Sequence, residues 1–266
     1  MRRVVFHGAY ALGRGCERAA QVFFYLAVGA TRRDDLHRAI HGFWDSAGQL
    51  AWDPYTYSGL LPWEEDFYGR FLKPGDHLLV GGCGTGRELV ALLERGFPAE
   101  GVDVASGCVR LARRALAVRG LVAEVHACAI EHLPVSRPFD VVILATQLYS
   151  IVPGAEARIA LLRRAVEHLA PGGHVLLSYI ARTGRQPRPV LTKLARLAAA
   201  LTRADWRPEY GDVLIPAGGG RVFAHYEHRF VPEEIEDEVR RAGLRVILHE
   251  PDDVGKLVLV PPPPSA

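Results

Sequence analysis

Between residues 76 and 180 the chain alternates short apolar runs with longer stretches in which apolar residues recur every three or four positions. HLLVGG, AEGVDV, AEVHACAI, FDVVILAT and HVLLSYI each read as a strand. Between them, the stretch ending at Glu94 and stopped by Gly96, then Ser106 to Gly120, then EARIALLRRAVEHLA read as helices. In the last of these Ile159, Leu162, Val166 and Leu169 fall on one face, and Pro171-Gly172-Gly173 ends it. FDVVILAT is apolar without interruption, the mark of a strand covered on both faces. Strands alternating with helices of this length imply right-handed crossovers and an α/β fold with a mostly parallel sheet and helices on both faces. Beyond it, Pro232 opens a helix running to Gly243, and LRVILHE and KLVLV can pair as a closing antiparallel hairpin, which brings the expected strands to seven.

The same pattern divides the chain. Residues 1–70 read as an N-terminal helical and aromatic cap segment, 71–182 as the ligand-binding core, 183–221 as a lid-like insert, and 222–260 as the closing strands and helix of the core. The proline-rich 261–266 reads as a disordered tail. AAQVFFYLAVGA at 19–30 is apolar over only about half of the roughly 20 residues that a spanning helix needs, so no membrane span is expected. The insert contains a helical stretch, PVLTKLARLAAALTRAD, and an insert of that length commonly builds a lid or a specificity wall. Its basic residues Arg185, Arg188, Lys193, Arg196 and Arg203 face either an acidic acceptor or solvent.

Composition narrows the classes. A chain of 266 residues, 49% hydrophobic and 23% charged, is one large globular domain or a domain with an insert. Its 32 basic and 30 acidic residues leave a formal charge of +2, and no basic-aromatic patch stands out, which argues against nucleic acid as the partner. The four cysteines have no CxxC or metal-ligand spacing and read as reduced thiols of a cytoplasmic protein. No His/Asp/Glu cluster sits at ligand spacing around the glycine-rich segment, so no metal is expected.

The chemistry concentrates in DHLLVGGCGTGRELV, where four glycines occupy six positions between the first strand and its helix. Such a turn lets a ligand approach the backbone closely and presents the N–H groups of a helix start to it. A carboxylate is expected about 20 residues on, at the end of the next strand, to accept ribose hydroxyls, and Asp103 stands there. The dinucleotide fingerprint G-x-G-x-x-G fits in neither frame: counted from Gly82 the sixth position is Arg87, and counted from Gly81 the third is Cys83.

With G-C-G-T-G at 82–86, PFDVVIL, the PGG before the fifth strand and HRFVPEEIEDEVRRAGLRVI, the sequence resembles the class I S-adenosylmethionine-dependent methyltransferases over roughly residues 70 to 260. The resemblance implies a seven-stranded Rossmann-like sheet with an antiparallel closing strand, and S-adenosyl-L-methionine as cofactor. Gly82, Gly84 and Gly86 then correspond to the loop at its methionine part, and Asp103 to the ribose ligand. Two family acids are missing, since Val80 and Ala129 stand at their positions. Val104 and Ile130 can still pack on the adenine and backbone N–H groups near Ala129 can hold it. Thr146 in the loop after the fourth strand, and Tyr57 or Asp53 in the aromatic segment 43–68, are further candidates for the cofactor. That aromatic segment serves either core packing or cation–π attraction to a sulfonium.

The implied activity is methyl transfer to an oxygen or nitrogen of a small molecule. Transfer from a sulfonium asks mainly for in-line positioning, with a base only where the acceptor must lose a proton. Candidate bases are Tyr149, beside Gln147 in the loop after the fourth strand, and His225 and His228 in RVFAHYEHRF; His225 and Glu227 would share one face of a strand. Two other readings stay open, a cofactor-binding but non-catalytic scaffold or regulatory protein and a nucleotide-dependent oxidoreductase. A monomer or homodimer is expected.

Overall fold

The computed structural model describes residues 2–45, 58–134, 138–182, 189–215 and 225–263. The chain forms two compact units, Met1–Ile40 with Gly184–Tyr226, and His41–Thr183 with Glu227–Ala266. Residues 1–40 of the N-terminal segment and 184–221 of the insert, separate stretches in sequence, thus fall in one unit, while residues 41–70 fall in the other.

The larger unit is built on seven strands: β1 (Leu78–Gly81), β2 (Ala99–Asp103), β3 (Val125–Ala127), β4 (Phe139–Leu144), β5 (Leu169–Ile180), β8 (Arg245–Pro251) and β9 (Val254–Val260). Their order is β3-β2-β1-β4-β5-β9-β8. The first five run parallel, and β9 lies antiparallel between β5 and β8. The expected α/β sheet with an antiparallel closing strand is therefore present, and the two last strands do form a hairpin.

Alternation along the strands sorts the core into two layers. Leu78, Val80, Val141, Ile143 and Leu176 face a cluster shared with α3 (Pro62–Phe71), α4 (Arg87–Glu94) and α5 (Ser106–Val118). Leu79, Val142, Leu144, Val175 and Leu177 face the other, shared with α6 (Ala155–Glu167) and α8 (Pro232–Arg241). The pattern is that of a sheet covered on both faces, and it accounts for the unbroken apolar run in β4.

Two local expectations shift. The third strand is only Val125–Ala127, because the chain turns at Cys128 and enters a 3₁₀ turn at Ile130–His132. The helix before β5 ends at Glu167, so Leu169 belongs to the strand: Phe139 N donates to His168 O at 2.8 Å, and Leu169 pairs with Phe139 across a bulge. The four cysteines are free, and burial pushes the Cys108 thiol up to about 12.

The smaller unit contains α1 (Arg2–Gly29), which packs along α7 (Pro189–Thr202). The helix α2 (Arg33–Trp44) starts here, with Asp205 accepting the Arg33 N–H at 2.9 Å. β6 (Asp212–Ile215) and β7 (His225–His228) form a two-stranded sheet, and Tyr226 donates to Asp212 at 2.7 Å. Among the described residues no helix is long and apolar enough to cross a membrane.

Val80 is fully buried, in a cluster with Phe67, Leu78, Leu89 and Ile143. Val80→Asp is expected to destabilise the fold by about 2 kcal/mol, the cost of a buried polar group in apolar surroundings. A lowering of Tm by about 5 °C checks it. A variant that melts with the wild type and binds S-adenosylmethionine more tightly would show that this position tolerates the acid.

Candidate functional site

β1 lies between β2 and β4, so the chain leaves it in one direction and later returns on the other side. In such sheets the crevice outside the carboxyl ends of the strands, at this reversal, is where ligands bind. The glycine loop occupies that place. Gly82, Gly84 and Gly86 have φ of 71°, 54° and 95°, left-handed values that disfavour other residues. A Cβ on Gly86 would stand 3.0 Å from Ala112, so this glycine lets α4 and α5 pack closely. Among the described residues a Cβ on Gly84 would meet nothing within 4 Å, so the loop presents its backbone there to open space.

Asp103 ends β2 and reaches back to the loop. Its Oδ2 accepts the Gly84 N–H at 2.8 Å and its Oδ1 the Ala105 N–H at 2.8 Å. Burial pushes its carboxyl up, and these two N–H donors oppose that rise. Each oxygen keeps lone-pair capacity for a further donor. Val104 beside it is 43% exposed, an apolar side chain facing outward. Ala129 is half-buried, and Ile130 is buried, its Cδ1 3.4 Å from where a Cβ on Gly81 would lie. Open space before Gly84, a carboxylate with spare lone pairs and an exposed apolar neighbour fit an adenosyl group with a ribose diol. Tyr57 and Asp53 lie outside the described residues, as do Arg185 and Arg188.

The candidate bases are placed differently from one another. Tyr149 has no exposed surface, and its hydroxyl donates to Glu238 Oε2 at 2.6 Å; the guanidinium of Arg158 binds the same carboxylate, with Nε at 3.0 Å from Oε2 and Nη2 at 2.5 Å from Oε1. His228 is also fully buried, with Nε2 3.2 Å from Glu234 Oε1. Both rings flank Phe230, at centroid distances of 5.5 Å and 4.5 Å, so the fold brings Tyr149 and His228 together around that ring. His225 is half-buried and belongs to the other unit. Burial does alternate along β7, so His225 and Glu227 share a face as expected.

The first turn of α4 holds what sequence reasoning missed. Arg87 and Glu88 follow the last loop glycine and are buried together with Glu64 and Tyr68 of α3. Arg87 makes a two-pronged pair with Glu64, Nη2 to Oε1 and Nη1 to Oε2 both at 2.6 Å, and donates to Gly59 O at 2.8 Å. Tyr68 donates to Glu88 Oε1 at 2.6 Å. Thr146, half-buried after β4, joins both acids: its hydroxyl donates to Glu64, its N–H reaches Glu88 Oε2 at 3.2 Å, and its oxygen accepts from Arg87 at 3.0 Å. Burial first, and the Glu64 carboxylate second, push the Glu88 carboxyl up. The sequence signal was a charged pair opening an otherwise apolar helix.

Asp45 was also missed; its Oδ1 accepts the Gly107 N–H at 2.8 Å at the start of α5. Away from the loop, on β2 and around β3, Glu100, Glu124 and His126 bring potential ligand atoms within 4.8 Å of one another, with Glu124 exposed.

Residues 79–173 match a family described as "Methyltransferase domain". The ribosomal RNA small subunit methyltransferase C of Pseudomonas aeruginosa strain UCBPP-PA14 is 39% identical over 109 residues, 39% of this chain and 32% of that protein. The chain thus spans about a third of the length of that relative. The ubiquinone biosynthesis O-methyltransferase of Xanthomonas campestris pv. campestris strain B100 is 26% identical over 229 residues, 83% of this chain and 85% of its own. Among solved structures, a SAM-dependent methyltransferase of Methanosarcina mazei superposes with a TM-score of 0.58 at 19% identity, covering 76% of this chain and 97% of that one. The glycopeptide N-methyltransferase MtfA with S-adenosyl-L-homocysteine gives 0.57 at 18%, covering 77% and 91%. Through the glycine loop and the strands that follow it the sequence thus matches a methyltransferase domain, and the sheet has the fold of the S-adenosylmethionine-dependent methyltransferases on which it superposes.

Proposed function

We propose that the protein transfers the methyl group of S-adenosylmethionine to an oxygen or nitrogen of a small molecule. The observation that carries the cofactor half of this reading is the loop: Asp103 clamped to the Gly84 N–H, beside open space at the carboxyl ends of parallel strands. When bound, S-adenosylmethionine supplies a methyl group already activated as a sulfonium. The protein's part is to orient and to keep water out. Gly82, Gly84 and Gly86 give the backbone close approach, Asp103 takes the ribose hydroxyls, and Val104, Ala129 and Ile130 border the adenine. Positioning of this kind is the larger share of catalysis in a transfer that needs no strong base.

The small-molecule reading is supported by how far each relative extends. The ribosomal RNA enzyme matches over 109 residues, whereas the ubiquinone-pathway O-methyltransferase matches over 83% of the chain, including segments outside the nucleotide-binding strands. Acceptor selection depends on those outer segments, so the broader match is the better guide to acceptor class. The free cysteines agree with a cytoplasmic setting.

Calorimetric titration with S-adenosylmethionine, S-adenosylhomocysteine and NAD tests the cofactor. Binding of the first two without NAD is expected, and NAD binding alone would favour an oxidoreductase. A panel of phenols, carboxylates and amines, with ribosomal RNA alongside and methyl transfer followed by S-adenosylhomocysteine release, tests the acceptor. Turnover on RNA alone would overturn the small-molecule reading, and cofactor binding without turnover on any acceptor would favour a scaffold.

A further inference from the structure

Glu64, Arg87 and Glu88 place two carboxyl groups against one guanidinium, all three at most 5% exposed. The cluster sits at the start of the helix that leaves the glycine loop. Arg87 is committed to Glu64 by two bonds of 2.6 Å and stands 3.6 Å from Glu88. Glu88 receives the Tyr68 hydroxyl and the Thr146 N–H, both neutral donors. Thr146 Oγ1 lies within reach of both acids, at 3.3 Å from Glu88 Oε2, but has one proton to give. Among the described residues the two carboxyl groups therefore share one guanidinium, held mainly by Glu64. A buried group in that state is costly unless a charged partner completes it.

The chain lacks the acid that the family carries at position 80, where Val80 is sealed in an apolar cluster. We propose that the Glu64–Arg87–Glu88 cluster, presented through the half-buried Thr146, is the anionic seat for the ammonium group at the methionine end of the cofactor. This rests on the cofactor reading above. Thr146 is the contact, and Glu64, Arg87 and Glu88 are positioning residues that orient its hydroxyl and supply the negative field. The groups that face Glu88 are Glu64 and Tyr68 from α3, Arg87 from its own helix and Cys83 from the loop. Burial and the Glu64 carboxylate push the Glu88 carboxyl up, and an arriving ammonium opposes that rise.

The test compares S-adenosylhomocysteine, which carries the ammonium, with 5′-methylthioadenosine, which keeps adenine and ribose but lacks the amino-acid portion. Calorimetry on the full chain is expected to show Glu88→Gln weakening S-adenosylhomocysteine about tenfold, as for loss of a charge-assisted interaction, while leaving 5′-methylthioadenosine within about twofold. Equal weakening of both ligands means that Glu88 only supports the fold, and no change in either means that the cluster plays no part; each overturns the inference. The wild-type protein gives an independent measure if the variant does not fold. Its affinity for the deaminated analogue of S-adenosylhomocysteine, which lacks only the ammonium, is expected to be about tenfold below that for S-adenosylhomocysteine itself. Equal affinity for these two ligands overturns the inference while the cofactor reading stands. Failure of the wild type to bind either ligand overturns both.

Discussion

Gly84→Val is expected to lose S-adenosylmethionine binding to below calorimetric detection, a weakening of about a thousandfold or more. Two effects act together. The position has φ of 54°, where a β-branched residue is strained, and the added methyls project into the open space that a Cβ on this glycine would face. Because no atom of the other described residues lies within 4 Å of that Cβ, the substitution leaves the core untouched. Far-UV circular dichroism should stay native-like. A variant that binds with wild-type affinity would mean that the loop is structural and that the ligand lies elsewhere.

Asp103→Ala is expected to weaken S-adenosylmethionine at least a hundredfold. The side chain holds the Gly84 and Ala105 N–H groups at 2.8 Å each, and hydrogen bonds to a charged group contribute about 1.5–3 kcal/mol apiece. Removing it releases the loop and deletes the acceptor proposed for the ribose. Asp103→Asn separates these roles. Its amide oxygen can keep one loop bond but cannot accept from every donor that the carboxylate serves, so an intermediate loss is expected. Full retention of affinity in Asp103→Ala would remove this residue from the site. Cofactor titrations of the two variants, read beside their melting temperatures, distinguish a slack loop from a missing contact.

The contrast between these residues and the charged cluster shows what a sequence makes legible. Gly82, Gly84, Gly86 and Asp103 stand at spacings set by the backbone itself, a tight turn after one strand and the end of the next, so they can be read in order along the chain. Arg87 and Glu88 sit next to them but carry no such mark: a charged pair opening a helix ordinarily faces water. Their burial depends on Glu64, 23 residues earlier in a segment whose aromatic content drew attention to packing or cation–π contact instead. Tyr149 misled in the same way. Its loop does follow β4, but its hydroxyl is committed to Glu238, 89 residues away, a pairing that local pattern cannot reveal. The strand count and the closing hairpin were readable because alternation and apolar runs are local. The short β3 and the early end of α6 were not, because a 3₁₀ turn and a bulge decide them.

The position of β9 bears on how the protein is made. It pairs with β5 along Val175 to Ile180, yet of the strands of this sheet it is synthesised last, after β8, its other neighbour. Until residues 254–260 are synthesised, β5 carries an open edge of unpaired backbone groups, the kind of surface that recruits another nascent chain. The five parallel strands can therefore collapse early, but the sheet is sealed only once residues 254–260 have been made. A stop codon shortly before Val254 would thus yield a product prone to join its copies edge to edge, even though every glycine and carboxylate of the nucleotide-binding loop had been made.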